Sequence, residues 1–138
     1  MKRLFGPRFH VTLIAIAIGG LILGCGGDDT TGPPQPLPEP GQLRVTLSSS
    51  TPVGAVMLTV SGTGITSPAA SGGTQVYHDV SGSTLSAVVV GASLSGEIMK
   101  FTVPDVKQVA GYEVSVEQVA GPANQPLATS GISVSVVQ

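Results

Sequence analysis

Apolar and polar residues alternate along most of the chain after residue 42. An apolar side chain at every second position is typical of a β-strand that buries one face. Gly-, Ser- and Pro-rich turns separate the alternating segments, and helical spacing is confined to a single possible turn at residues 105–109. The pattern predicts seven strands, at residues 43–47, 56–60, 76–80, 85–89, 99–103, 112–116 and 132–136.

Residues 42–138 are just under 100 residues, which suffices for one hydrophobic core. Seven short strands in a domain of this size predict an all-β fold, a seven-stranded Greek-key sandwich. The two longest connections, residues 63–73 and 121–130, are rich in small residues and are predicted to be loops. Because loops of a rigid scaffold often carry binding residues, both are candidate contact regions.

The stretch FTVPDVKQVAGYEVSVEQV, residues 101–119, resembles the end of strand E, the corner and strand F of immunoglobulin-like and fibronectin type III domains. The resemblance implies that Tyr112 is the corner tyrosine, with a buried ring and a hydroxyl bonded to the backbone of residues 104–111. It also implies that Val106 packs inward before the corner and that Val114 and Val116 point inward after it. A second stretch, GAVMLTVSGTGI, resembles the early strands of cohesin-type sandwiches, which are the second candidate family.

The first 23 residues have a different pattern. Lys2, Arg3 and Arg8 precede an uncharged run of 13 residues from Val11 to Leu23. A basic start followed by a short apolar run is typical of a secretory signal peptide. A membrane-spanning helix needs about 20 apolar residues, so the run is too short for one.

Ile22, Leu23, Gly24 and Cys25 follow the apolar run, and Cys25 is the one cysteine of the 138-residue chain. The four residues resemble the lipobox of bacterial lipoproteins. The resemblance implies cleavage between Gly24 and Cys25, lipidation of the Cys25 thiol, and acylation, for example with palmitate, of the new amino terminus. Two or more acyl chains suffice for stable membrane anchoring. Gly26 follows Cys25 in place of the Asp that holds proteobacterial lipoproteins at the inner membrane, which favours the outer membrane of the cell envelope.

The sequence therefore divides into three parts: a signal peptide at residues 1–24, a lipidated tether at residues 25–41 and a β-sandwich at residues 42–138. The tether contains GGDDTTGPPQPLPEPG, residues 26–41, which offers almost no apolar side chain for burial. Gly, Asp and Thr favour flexibility in its first half, and the prolines favour polyproline II in its second half.

Charge argues against several partners. Cleavage before Cys25 leaves three basic residues against eight acidic ones, a net charge of −5. Nucleic-acid binding requires clustered Lys and Arg to neutralise phosphates, and none remain clustered. Once Cys25 is acylated, the mature chain has one histidine and no free thiol, which excludes the usual sets of zinc ligands. The pair Asp28-Asp29 lacks the residue spacing of a calcium-binding loop. No cofactor or metal is expected.

His78, beside Asp79, is the one candidate for catalysis in the domain. Consecutive side chains on a strand point to opposite faces, so Asp79 would not orient His78, and the chain lacks a G-x-S-x-G nucleophile turn. Tyr77 alone offers little aromatic surface for a sugar. Three hypotheses follow: a non-catalytic interaction or scaffolding module, a glycan or small-ligand binder, and a hydrolase that uses His78. The first is favoured, as a monomer whose partner is an envelope or extracellular protein.

Overall fold

The computed structural model describes residues 34–138, which form two antiparallel β-sheets. One sheet has the strand order β3-β6-β1-β9 and the other the order β4-β5-β2-β7-β8. The elements are β1 (Gly41–Ser49), β2 (Ala55–Ser61), β3 (Thr66–Ala70), β4 (Gln75–Ser81), β5 (Thr84–Val90), β6 (Gly96–Val103), the 3₁₀ helix η1 (Val106–Gly111), β7 (Glu113–Ala120), β8 (Pro126–Leu127) and β9 (Ile132–Val137).

The prediction of an all-β fold is confirmed, and each of the seven alternating segments is a strand. The predicted number of seven strands is wrong, because the described chain contains nine. The two additional strands, β3 and β8, lie inside the connections that were predicted to be loops. Pro68 and the left-handed backbone of Ser67 (φ 47°) interrupt the alternation of β3, and β8 has only two residues. The single turn predicted near residue 105 is η1.

The core lies between the two sheets and consists of the inward side chains of the alternating strands. In β2, Val56, Leu58 and Val60 are buried, and their register partners on β5 are Val89, Ala87 and Leu85, which are also buried. Among the described residues no polar or charged side chain is buried. The largest fully buried side chains are Phe101, Leu43, Leu58, Leu85, Ile98 and Met99.

Two β-bulges adjust the strand register. The pairing of β1 with β6 shifts between Val45 and Thr46, and the pairing of β2 with β7 shifts between Met57 and Leu58. At the second bulge Met57 pairs with Gln118 and Leu58 with Val116, so Glu117 is the extra residue of β7. A β-bulge of this kind bends its strand, and the alternating side chains before and after it still point to the same faces of the sheet.

The chain enters the sandwich along η1. The amide of Val106 donates to the carbonyl of Glu39 at 2.8 Å, and the Lys107 ammonium lies 3.4 Å from the Glu39 carboxylate and donates to the Leu37 carbonyl at 3.2 Å. Residues 37–41, assigned to the tether by the sequence, thus contact the domain. The compact unit begins at Pro36. Within residues 34–138 no helix is long and apolar enough to cross a membrane.

Asp105 caps the first turn of η1. Its Oδ1 atom accepts hydrogen bonds from the amides of Glu39 and Lys107, both at 3.1 Å. The hydrogen bond from the Glu39 amide is the main reason that the pKa of Asp105 is lowered, and the bond from the Lys107 amide and the nearby Lys107 charge act in the same direction. The ionised carboxylate thus joins the entry segment to the helix.

Candidate functional site

The outer face of the five-stranded sheet carries apolar side chains. Strand register places Tyr77, Val88, Met57 and Gln118 in one row across β4, β5, β2 and β7. A neighbouring row consists of Gln75, Val90, Ala55, Ala120 and Pro126. We call these two rows the apolar surface.

Three side chains of the apolar surface are notably exposed for their type: Tyr77 at 63%, Met57 at 41% and Val90 at 37%. Of the six large hydrophobic residues that are exposed in the described chain, these three and Val80 lie on β2, β4 and β5. An exposed apolar cluster on a small domain marks a contact surface, whereas scattered apolar residues do not.

The apolar surface is concave at the end where β7 turns into β8. A groove of about 280 Å³ lies there, and its lining includes Met57, Val88, Gln118, Asn124 and Pro126. The left-handed conformation of Asn124 (φ 60°) and the hydrogen bond from its amide to the Gly121 carbonyl shape the turn. Asn adopts this backbone conformation more readily than most residues. The turn therefore forms one wall of the groove and brings the Asn124 side chain to it, while Gln118 lines the groove from β7.

Negative charge accompanies the apolar surface. Asp79 lies two residues from Tyr77 on the same face of β4, and Glu113 and Glu117 lie on exposed positions of β7. Glu117 accepts a hydrogen bond from the Ser115 hydroxyl at 3.3 Å, which places its carboxylate on the outer face. The basic residues of residues 34–138 are elsewhere, with Arg44 and Lys100 on β1 and β6 and Lys107 in η1.

The opposite outer face, on the four-stranded sheet, is polar. Arg44 lies 3.6 Å from the Glu97 carboxylate, and the hydroxyls of Thr46 and Ser135 are 2.8 Å apart. These contacts pair the polar groups with one another. The two outer faces of the sandwich are therefore different in chemistry.

His78 is exposed and lies on the other face of β4 from Tyr77 and Asp79, since its register partner is the inward Ala87. No side chain among residues 34–138 hydrogen-bonds to the His78 imidazole, and the Tyr77 hydroxyl donates to Gln75 at 3.3 Å. In the described part of the chain no Ser and carboxylate hydrogen-bond to His78, and Tyr77 and His78, as successive residues of β4, point to opposite faces of the sheet. Within the described chain no three His, Cys, Asp or Glu side chains are grouped as metal ligands.

Tyr112 lies directly before β7, and its ring centroid is 5.8 Å from that of Phe101. Its ring, expected to be buried, is only half-buried against the core. Its hydroxyl bond differs from the expectation: it donates to the carbonyl of Thr63 at 2.6 Å, in the connection after β2, rather than to residues 104–111. The reason is the position of Gly62, whose lack of a side chain lets the ring lie directly against its backbone. Burial raises the pKa of Tyr112, and the charge of Asp105 adds to this effect.

The predicted lipidation residues, Gly24 and Cys25, lie outside the described residues. The apolar surface was missed by the sequence analysis, although two apolar runs indicate it. Ala55–Leu58 in β2 and Ala87–Val90 in β5 are apolar at four consecutive positions, which is the pattern of a strand that is apolar on both faces.

A comparison with protein-family models, with curated proteins and with solved structures finds no match to this chain. Function is therefore inferred from the residues and the surface that they form.

Proposed function

We propose that this chain is a lipid-anchored lipoprotein of the cell envelope whose β-sandwich is a non-catalytic interaction module. The observation that carries the proposal is the apolar surface, in which Tyr77, Val88 and Met57 form a row on the outer face of the five-stranded sheet. Tyr and Met are enriched in protein interfaces, and burial of such a row by a partner removes apolar area from water.

The anchoring part of the proposal rests on the sequence. Ile22-Leu23-Gly24-Cys25 follows a basic and then an apolar segment, the order expected of a lipoprotein signal. Acyl chains on Cys25 hold the protein on a membrane, with the outer membrane favoured by Gly26. The tether then presents the domain to partners in the envelope or outside the cell.

We infer that the sandwich is immunoglobulin-like in its central pairings. If β6 and β7 are strands E and F, the pairs β1–β6 and β2–β7 correspond to B–E and C–F of the immunoglobulin order. β9 departs from that order, because it pairs with β1 rather than following β7 in the other sheet. The cohesin-type sandwich remains the second candidate.

The partner proposed for the apolar surface is a protein with an apolar patch bordered by Lys or Arg. Asp79 and Glu117 border the apolar rows, Glu113 lies farther along β7, and this sheet carries no Lys or Arg to neutralise them. Charges of opposite sign at the rim of an interface speed association and select the partner.

Photo-crosslinking tests the proposal in the native host. A photoreactive amino acid is placed at Met57 or Gln118 of the full-length, lipidated protein, and at Ser133 or Ser135 on the opposite face as controls. We expect discrete adducts from the first pair and none from the second, with the adducts lost when Val88→Glu is added. Equal adducts from both faces, or none from Met57 and Gln118, would contradict the proposed surface.

The groove favours a second candidate function, the binding of a small apolar ligand. Its volume of about 280 Å³, with Gln118 and Asn124 in its lining, is close to the lower limit of known ligand pockets. Mass spectrometry of the protein, isolated from its host under native conditions, tests this alternative through a bound mass that Ala120→Phe removes. A protein without such a mass favours the interaction module.

A further inference from the structure

The two sheets have four edge strands, and two of them are protected against pairing with another chain. β3 contains Pro68, and β8 consists of two residues beginning with Pro126. Proline and short length are two of the devices that block an edge. β4 and β9 have neither device, with seven and six residues that include no proline.

β4 differs from β9 in how far its inward side chains are covered. Ile132, Val134 and Val136 of β9 are half-buried against the core. On β4, His78 is exposed and Val80 is 38% exposed, although the β5 partner of Val80, Leu85, is fully buried. The inner face of the five-stranded sheet thus continues past the core onto β4, where Val76 is half-buried against the core and His78 and Val80 are left exposed.

The hairpin between β4 and β5 determines which backbone groups face the free edge. Its loop holds two residues, Gly82 and Ser83, so Ser81 and Thr84 form the closing hydrogen-bonded pair. Hydrogen-bonded and non-hydrogen-bonded pairs alternate along antiparallel strands. The amides and carbonyls of Val76, His78 and Val80 therefore point away from β5, toward the free edge.

An additional strand beside β4 would contact two kinds of side chain. On the inner face its side chains would lie next to Val76 and Val80, which are apolar and incompletely covered. On the outer face they would lie next to Tyr77 and Asp79, an exposed aromatic ring and an exposed carboxylate on a sheet face without Lys or Arg.

We propose that the β4 edge binds an extended segment of a partner protein as a sixth strand, and that this segment alternates apolar residues with Lys or Arg. The inference rests on the proposed interaction function and names the partner's chemistry. The apolar side chains cover Val76 and Val80, and the basic ones lie over the Tyr77 ring and beside Asp79, where a cation is attracted to both. Main-chain hydrogen bonds to Val76, His78 and Val80 supply the rest of the recognition.

A synthetic peptide of nine residues that alternates Val and Lys, blocked at both ends and labelled with a dye, is the probe. Fluorescence anisotropy measures its binding to the full-length lipidated protein in a neutral detergent. We expect saturable binding that weakens at least tenfold when Glu replaces Lys in the peptide, and several-fold with Asp79→Asn. Glu97→Gln, a carboxylate on the other sheet, serves as the matched control and leaves binding unchanged.

Two variants at one position separate main-chain from side-chain recognition. His78→Pro removes an edge-facing amide, which an edge strand tolerates, and is expected to weaken binding at least tenfold, whereas His78→Ala retains the amide and binds within twofold of the parent. If His78→Pro does not fold, two N-methylated peptides replace that variant, one methylated at the odd residues and the other at the even residues. Only the peptide whose methyl groups block the amides that face β4 is expected to lose binding.

Three results would overturn the proposal. The first is that the Val-Lys peptide does not bind the parent protein. The others are that it binds His78→Pro and His78→Ala equally, or that both N-methylated peptides bind as well as the unmodified one. Failure of the edge and failure of the proposed function are distinguishable. Crosslinks from Met57 and Gln118 that persist in His78→Pro would leave the apolar surface as the interaction site and remove β4 from it.

Discussion

Tyr112 joins three parts of the sandwich through the two ends of its side chain. The ring packs beside Phe101 and over the backbone of Gly62, and the hydroxyl bonds to the Thr63 carbonyl. The residue therefore connects the start of β7 to the connection that leaves β2. The ring and the hydroxyl make separable contributions to stability.

Replacement of Tyr112 tests the two contributions separately. Tyr112→Phe loses the hydroxyl bond and should lower the free energy of unfolding by about 0.5–1.5 kcal/mol. Tyr112→Ala also removes the ring and should cost about 3 kcal/mol, the low end for an aromatic residue because Tyr112 is half-buried. Denaturant melts measure both changes, and two variants as stable as the parent would show that the contacts of Tyr112 contribute nothing.

Gly62 provides a second test of the same contact. A β-carbon at Gly62 would collide with the Tyr112 ring, so Gly62→Ala should destabilise the domain by about 1–3 kcal/mol through overpacking. In the Tyr112→Ala background the space is vacant and the cost should largely disappear. A double-mutant cycle measures this coupling between Gly62 and Tyr112. Additive effects of the two substitutions would show that the Tyr112 ring is not what makes Gly62→Ala destabilising.

Asp105 makes stability depend on pH. Its pKa is lowered in the folded protein from the ordinary value of 3.8. A lowered carboxyl pKa adds stability that is fully present above the unfolded value and is lost as the pH falls through the folded value. Asp105→Asn should therefore be less stable than the parent at pH 7, and the difference should vanish at low acidic pH. Denaturant melts at both pH values measure this stability difference. Asp79→Asn, which has the same net charge as Asp105→Asn, serves as the control. A difference that persists in acid would contradict the role of the Asp105 carboxylate as the cap of η1.

At the scale of elements, the alternating strands were predictable and the irregular ones were not. β1, β2 and β5 bury every second residue, and this periodicity is visible in the sequence. β3 is held by pairing with β6 despite Pro68 and a register shift, so its strand character comes from the partner strand rather than from its own residues. The sheet order was likewise not predictable, because the same inward rows are compatible with several pairings.

The apolar surface illustrates the same limit for the candidate site. Met57 and Val88 occur within apolar runs of the sequence, but only the register across β4, β5 and β2 brings them into one row with Tyr77. Without that register, residues on three different strands cannot be assigned to one patch. The separation of His78 from Asp79, in contrast, follows from strand geometry alone and agrees with the structure.

The entry segment makes a testable contribution as an element. A chain of residues 36–138 retains the bonds from Val106 to Glu39 and from Lys107 to Leu37, whereas a chain of residues 42–138 loses them together with Gly41 of β1. The shorter chain also loses the bond from the Glu39 amide to Asp105. We expect the longer chain to be more stable by about 1–2 kcal/mol, because the side-chain bonds of this segment are exposed to solvent and contribute at the low end of the usual range. Thermal or urea melts of the two chains measure the difference, and equal stability would mean that the segment only rests on η1.

At the scale of the whole molecule, the sequence predicts one covalent feature of the mature protein. Protein isolated from its host should begin at Cys25 and carry the mass of two or more acyl chains, because the lipobox resemblance implies cleavage before a lipidated cysteine. Intact-mass spectrometry measures this, and Cys25→Ser should release the domain from the membrane fraction. An unmodified Cys25, or an amino terminus elsewhere, would contradict the prediction.

The chain has two tyrosines and no tryptophan, so its ultraviolet emission comes from two rings in different environments. Tyr112 is packed beside Phe101, and Tyr77 is 63% exposed on β4. In a Tyr77→Phe protein the remaining emission follows the unfolding of the sandwich, and in a Tyr112→Phe protein it follows events at the strand edge. The molecule therefore carries its own pair of optical probes, one for the integrity of its interior and one for the occupancy of its surface, with no added dye.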